Sequence, residues 1–262
     1  MKSELNYTER YLNRYWNRAA KKIEAYHNAP STQIYLEQEK RLIEKYCFPL
    51  GGRVFLKTDL WNEAKNTQIL KWLLTKKAVI YAMDISNCIA NQALSCFKKD
   101  KPFISVADLR KLPFPDNFFD YIYSMGTAEH FPDYENAFRE TYRVLKRGGI
   151  AIIGVPNKFD PFLRPLIVFF LQRLGIYFFG YERSFSKKEM IQILKKTQFK
   201  IKAYTTILFM PGILRYLDIF FFNHIPPLTN FSKNLLAPFE FLYNSSQFFQ
   251  NNGYLLAFIV SK

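Results

Sequence analysis

The chain has 262 residues, 49% hydrophobic and 23% charged, enough apolar surface for one large domain with attached elements and too much for a disordered polymer. Three cysteines cannot all pair, and Cys47, Cys88 and Cys96 fit no metal-ligand spacing, which excludes a disulfide scaffold and suits a reducing compartment such as the cytoplasm. Lys and Arg number 37 against 22 Asp and Glu, and the resulting +15 favours polyanionic partners: nucleic acid, an anionic membrane surface or phosphorylated ligands.

The opening stretch MKSELNYTERYLNRYW has no apolar h-region, so no signal peptide is expected. Residues 1–50 read as two helices broken near Asn28-Ala29-Pro30-Ser31, forming an N-terminal lid. Arg10, Arg14 and Arg18 recur at i, i+4 and i+8, which puts three guanidinium groups along one helix face. That face is either the solvated side of a packed helix or an anion-facing surface.

From residue 53 the pattern alternates. Strands are predicted at 53–58, 78–83, 103–106, 118–124 and 150–155, with helices at 63–74, 86–96 and 134–145, the last stopped by Gly148-Gly149. Ser186-Lys187-Lys188-Glu189 is a capping box for a helix to about Lys196. Strands at 199–208 and 253–261 close the pattern around a Phe-rich insertion, 209–252, too long for a hairpin loop and therefore helical. Strands alternating with helices of this length build a parallel sheet covered on both faces.

Two apolar stretches bear on membrane crossing. Residues 162–181 carry Arg164, Pro165, Gln172 and Arg173, and residues 207–226 carry Arg215 and Asp218. A spanning helix needs about 20 nearly uncharged residues, and a central charge costs about 2.5–3.5 kcal/mol. Neither stretch qualifies; lying on a membrane interface stays open.

In an open parallel sheet the ligand sits beyond the carboxyl ends of the strands. Asp84 follows the second strand and can take both hydroxyls of a ribose, being an acceptor pair held at a strand tip. Asp108 follows the third and can accept from an adenine amine, with the backbones of Ala107 and Leu109 nearby. SMGTAEHFPD follows the fourth, and Pro156-Asn157 the fifth.

The pieces VIYAMDIS, VADLRKLPFPDNFFDYIYSMGTAEHF and RVLKRGGIAIIGVPN, in that order, resemble the class I S-adenosylmethionine-dependent methyltransferases, in the subgroup that includes quinone and lipid methyltransferases. The resemblance covers residues 50–208 and 253–262. It implies a Rossmann-like seven-stranded sheet, order 3-2-1-4-5-7-6, mostly parallel with an antiparallel last strand. The core would be 51–160, the basic and apolar substrate cap 161–198, and the final strand pair with its insertion 199–262. S-adenosyl-L-methionine is the implied cofactor. Asp84, Ile85, Ala107, Asp108, Leu109, Ser124 and Met125 are the implied contacts.

One departure stands out. The family's first strand ends in an acidic residue and a glycine-rich turn, which lets the backbone approach the methionine end of the cofactor. Here the segment reads VFLKTDLWNEAKN, with Thr58, Asp59 and Glu63 as the polar groups at the tip. Asp59 or Glu63 could hold the cofactor's ammonium; Asp59 could equally only cap the next helix. Glu129 and His130 are the catalytic candidates, His130 as a general base or as a packing residue. Some relatives add a metal-binding Glu three residues upstream; Gly126 stands there, so no metal is expected.

Residues 158–202 hold ten Lys/Arg against three acids, beside the apolar 162–181. Basic residues next to Phe-rich helices suit an anionic bilayer surface. The expected function is methylation of a small hydrophobic or lipid-like acceptor, peripheral to the inner face of a membrane. The alternatives are a binding scaffold of the same fold that has lost catalysis and, less favoured, an RNA methyltransferase; DNA is not an expected partner.

Overall fold

A computed structural model describes residues 7–262; the part of the predicted lid at 1–6 lies outside the described residues. Helices α1 (Glu9–Lys22) and α2 (Pro30–Tyr46) precede strand β1 (Val54–Lys57). Pro30 starts α2 because a proline in the first turn gives up an N–H that would have had no partner. Then come α3 (Trp61–Lys65), α4 (Ile69–Thr75), β2 (Val79–Asp84), α5 (Asn87–Ser95), β3 (Phe103–Val106), β4 (Phe119–Met125), α6 (Tyr134–Val144) and β5 (Leu145–Pro156). The chain closes with α7 (Arg164–Arg173), α8 (Lys187–Lys196), β6 (Lys200–Ile207), α9 (Gly212–His224), α10 (Thr229–Ser245), α11 (Gln247–Gln250) and β7 (Leu255–Ser261).

The seven strands form one sheet in the order β3-β2-β1-β4-β5-β7-β6, as predicted. The first five pair in parallel, and β7 runs antiparallel to both β5 and β6. Side chains alternate across the sheet and build two cores. Tyr121, Tyr123, Met125, Ile152 and Ile259 pack on one face, Ile122, Ala151, Ile153, Phe258 and Val260 on the other. The predicted capping box is present: Ser186 Oγ accepts from the Glu189 amide, and the Glu189 carboxylate accepts from the Ser186 amide.

Two local predictions change. The helix expected over 63–74 is two helices, because the chain turns through a left-handed Gln68 (φ 56°) and the Asn62 carbonyl takes the amides of both Asn66 and Gln68. The strand expected at 150–155 begins earlier: α6 ends at Val144, one residue short of its expected end, and β5 starts at Leu145, so Gly148 and Gly149 lie inside the strand.

Gly154 is required by a close approach. A Cβ there would lie 1.8 Å from Met125 Sδ on the paired strand. Gly154→Ala is expected to destabilise the fold by about 1–3 kcal/mol through overpacking. Equilibrium unfolding in urea reads this.

Candidate active site

The strand tips β1, β2 and β4 open into a cavity of about 220 Å³. Its other walls come from α1 and α2, from the segment after α7, and from α9. The insertions thus cover the carboxyl edge of the sheet, where an α/β fold puts its ligand.

The β1 tip is built from buried charge. Lys57, the last residue of the strand, is wholly buried; its ammonium meets Asp59 Oδ2 at 2.8 Å and Glu63 Oε2 at 3.1 Å, and donates to the Asp59 carbonyl at 2.8 Å. Burial alone would lower the pKa of Lys57, but the carboxylates of Asp59, Glu63 and Glu39 overcome it and hold the lysine charged. On the far side of the same turn the Leu60 amide donates to Asp84 Oδ2 at 2.9 Å. Side chains therefore tie down a turn that glycines shape in the family this sequence resembles.

Asp84 lines the cavity at the tip of β2. Its Oδ1 accepts from the Ser86 amide at 2.8 Å, and burial pushes the carboxyl up to about 7. Ile85, Ile89, Ala107 and Leu109 form an apolar slot beside it. Thr58, Asp59 and Met125 also face the cavity. Three predicted contacts do not. Asp108 is turned aside, its carboxylate forked by Arg110 Nε at 3.0 and 3.1 Å and Nη2 at 2.6 Å. Glu63 is sealed beneath the turn, accepting from the Leu70 amide and paired with Lys57. Ser124 is buried within β4, off the cavity wall. The arrangement expected of Asp84 and Asp108 together is thus reduced to Asp84, with the neighbours of Asp108 supplying the slot. Asn157 holds the β5 end instead of facing the cavity: its Nδ2 donates to the Gly253 carbonyl at 3.0 Å and its Oδ1 accepts from the Phe159 amide.

Glu129 and His130 lie on the cavity wall, in a 3-10 turn after β4. His130 Nδ1 is 2.7 Å from the Tyr181 carbonyl. A carbonyl only accepts, so Nδ1 carries the proton and Nε2 keeps its lone pair. Burial lowers the histidine's pKa and keeps the ring neutral. Burial, and then the charge of Glu182, push Glu129 well above the carboxylate range, so the 4.0 Å approach of His130 Nε2 to Glu129 Oε1 joins two uncharged groups.

Opposite them stands a network that sequence reading missed. Arg164 donates to both oxygens of Glu182 and to the Tyr177 hydroxyl, and its guanidinium stacks 4.0 Å from the centre of the Tyr254 ring. Burial disfavours the Glu182 carboxylate, but Arg164 outweighs it and holds the acid below its ordinary pKa. The available signal was an arginine at the head of an apolar run. Trp16, Trp61 and Phe179 form the aromatic wall, with Trp61 5.9 Å from Trp16 and 5.7 Å from Phe179.

Three buried atoms of cavity-lining residues have no hydrogen-bond partner among the described residues: Thr58 Oγ1, Thr127 Oγ1 and Glu129 Oε2. Such groups cost about 1–3 kcal/mol each unless a ligand or water meets them.

Comparison with known proteins agrees with this architecture. Residues 65–153 match the family described as a methyltransferase domain. Over 51 residues the chain is 45% identical to the sterol 24-C-methyltransferase of Pneumocystis carinii, a match covering 20% of this chain and 14% of that protein. Over 49 residues it is 46% identical to the chloroplastic 2-methyl-6-phytyl-1,4-hydroquinone methyltransferase 1 of Oryza sativa subsp. japonica, covering 19% and 15%. These matches span less than a fifth of either relative. Among solved structures, the cyclase SpnF superposes with a TM-score of 0.62 at 15% identity over 97% of both chains. Phosphoethanolamine N-methyltransferase 2 of Haemonchus contortus, solved with S-adenosyl-L-methionine, gives 0.60 at 18% identity over 86% of this chain and 52% of that one. The fold is that of the class I S-adenosylmethionine-dependent methyltransferases.

Proposed function

We propose that this class I methyltransferase domain uses S-adenosyl-L-methionine to methylate a hydrophobic, lipid-like acceptor taken from a membrane surface. The observation that carries the reading is a single cavity, polar at the strand tips and aromatic under the insertions. It supports a nucleoside at one end and an apolar acceptor at the other.

The residues at the strand tips fit the cofactor. Asp84 presents acceptor lone pairs for ribose hydroxyls, and Ile85, Ile89, Ala107 and Leu109 offer a slot for a planar base. Asp59, oriented by Lys57, presents negative charge for an ammonium. The unpartnered Thr58 hydroxyl lies at the same tip. When bound, the cofactor supplies a methyl group already activated on sulfonium sulfur.

The chain's own work is positioning, exclusion of water and one proton transfer. Holding an acceptor oxygen about 3–3.5 Å from the methyl, in line, supplies several kcal/mol of the barrier reduction. Trp16, Trp61 and Phe179 screen that point from water. His130 Nε2, with its lone pair exposed to the cavity by the Tyr181 hydrogen bond, takes the proton of an acceptor hydroxyl. Partly matched sterol and quinol methyltransferases support a hydrophobic acceptor. Among the described residues no helix is long and apolar enough to cross a membrane.

Titration calorimetry with S-adenosyl-L-methionine tests the reading. Binding is expected; no heat at millimolar cofactor would return the chain to a scaffold, a rival that draws on Lys57 standing at the tip where the family carries an acid. With cofactor bound, His130→Ala should slow methylation of a phenolic or prenylated hydroxyl acceptor by about 100-fold or more while leaving cofactor heat unchanged. Because His130 is a base with a lowered pKa, the wild-type rate should rise with pH to a plateau, with the midpoint of the rise below the ordinary 6.5 of a histidine.

A further inference from the structure

We propose that the outward face of α7, with the turn that follows it, docks on an anionic lipid bilayer, and that the arginine row of α1 forms the cationic flank of the same surface. The proposal rests on the lipid-like acceptor argued above and assigns the face through which that acceptor would be reached.

Helix α7 has ten residues and one buried side chain, Val168. Leu166, Ile167, Phe169 and Phe170 are each half exposed, and Leu174 and Ile176 just beyond are 71% and 65% exposed. A helix held against its own domain shows its polar side to water; this one shows its apolar side, and so large an apolar patch marks a contact surface. The face is not a loosely hung hairpin. Gln172 Nε2 donates to the carbonyls of Gly180 and Glu182, Arg164 is clamped by Glu182 and Tyr177, and Phe162 packs on Phe209 and Phe239. The exposure therefore belongs to the folded state.

Charge decides between a bilayer and other occupants. The Tyr15 hydroxyl donates to the Phe178 carbonyl at 2.6 Å, and the Tyr15 ring fills the space beside Gly180, where a Cβ would lie 2.9 Å from it. So α1 is fastened to the turn that carries the apolar face. On α1, Arg10, Arg14 and Arg18 are all exposed, one helical turn apart. Arg173 adds a fourth cation at the end of α7, 5.6 Å from the Phe169 ring. An apolar strip edged by cations is the pattern that lies in the headgroup boundary of an acidic membrane, whereas a second copy of the chain would bring its own arginines to the contact.

Docking in this way would put the cavity next to the lipid. Arg164, the first residue of α7, lines the cavity together with Gly212 of α9, whose neighbour Ile213 is 62% exposed. An acceptor held in the bilayer would then reach the aromatic wall without crossing bulk water.

The full chain should co-sediment with vesicles of phosphatidylglycerol and phosphatidylcholine, and not with phosphatidylcholine alone. Salt should release it, since screening shortens the reach of the arginines from about 10 Å at 0.1 M to about 3 Å at 1 M. Phe169→Asp with Phe170→Asp should lower the bound fraction about tenfold or more, and so should Arg14→Glu with Arg18→Glu. Both pairs lie off the cavity wall and should leave S-adenosyl-L-methionine heat unchanged, which also verifies their folding. Absence of vesicle binding by the wild type, equal binding to the two vesicle types, or wild-type binding by the phenylalanine pair would overturn the proposal. So would a wild-type dimer in sedimentation velocity that the same pair converts to monomer, because the face would then be covered by a second copy. Vesicle binding without cofactor heat would leave the docking face standing and remove the transferase reading instead.

Discussion

Lys57→Met is expected to cost about 3–5 kcal/mol of folding stability and about 10 °C in melting temperature, the largest effect of any single substitution at the strand tips. The methionine fits the space, but it leaves the Asp59 and Glu63 carboxylates in a buried turn without the ammonium that meets them at 2.8 and 3.1 Å. Those charges were tolerable only as a group. The triple variant Lys57→Met, Asp59→Asn, Glu63→Gln removes the ammonium together with both carboxylates that touch it and should recover most of the loss, because replacing buried ion partners together by neutral groups of similar volume is close to neutral. Thermal unfolding followed by circular dichroism reads both. A single variant as stable as the wild type would mean that the turn is held by the backbone alone and that Lys57 does not organise the site.

Asp84→Asn is expected to weaken S-adenosyl-L-methionine binding about 100-fold, within the 1.5–3 kcal/mol that a hydrogen bond to a charged group contributes. The wild type should show a pH dependence that the variant lacks. Burial raises the Asp84 carboxyl to about 7 in the folded chain, against its ordinary 3.8. The ionised form is the better acceptor for ribose hydroxyls, so cofactor affinity should rise as pH passes upward through about 7. Stability of the ligand-free chain runs the other way. The folded state holds the proton more tightly than the unfolded chain, so the contribution is complete below 3.8 and is lost as pH climbs towards about 7. Glu39, also raised to about 7 by burial, adds to the same decline. Calorimetry across pH 5.5–8.5 would expose the first trend (roughly a pKa unit and a half either side of the midpoint, where most of the titration falls) and urea unfolding the second. A flat affinity profile in the wild type would separate Asp84 from the cofactor.

Helix splitting at 66–68 shows how far local pattern reaches. Residues 63–74 carry helical periodicity and no Gly or Pro, yet Gln68 turns left-handed, and the break is pinned where Arg215 of α9 and Thr32 of α2 both donate to Asn66 Oδ1. Both partners are remote in the chain. Asp108 is the converse case: its partner Arg110 is two residues away in VADLR, so the diversion of that carboxylate was visible in principle. Along the chain Arg164 is only an obstacle to membrane crossing, and its place in the cavity wall follows from Glu182, Tyr177 and Tyr254 gathered around it.

The amino-acid order by itself determined the strands and helices, the capping box and the position of Asp84 at a strand tip, since these depend on periodicities and turns within about ten residues, while the order of the strands in the sheet was implied by the family resemblance. Tertiary structure alone decided which carboxylates face the cavity, that Lys57 is buried among Asp59 and Glu63, and that α7 shows its apolar side outward. Burial and pairing of charge are properties of what surrounds a side chain, and the surroundings here are assembled from segments up to a hundred and more residues apart, where no spacing rule along the chain can reach.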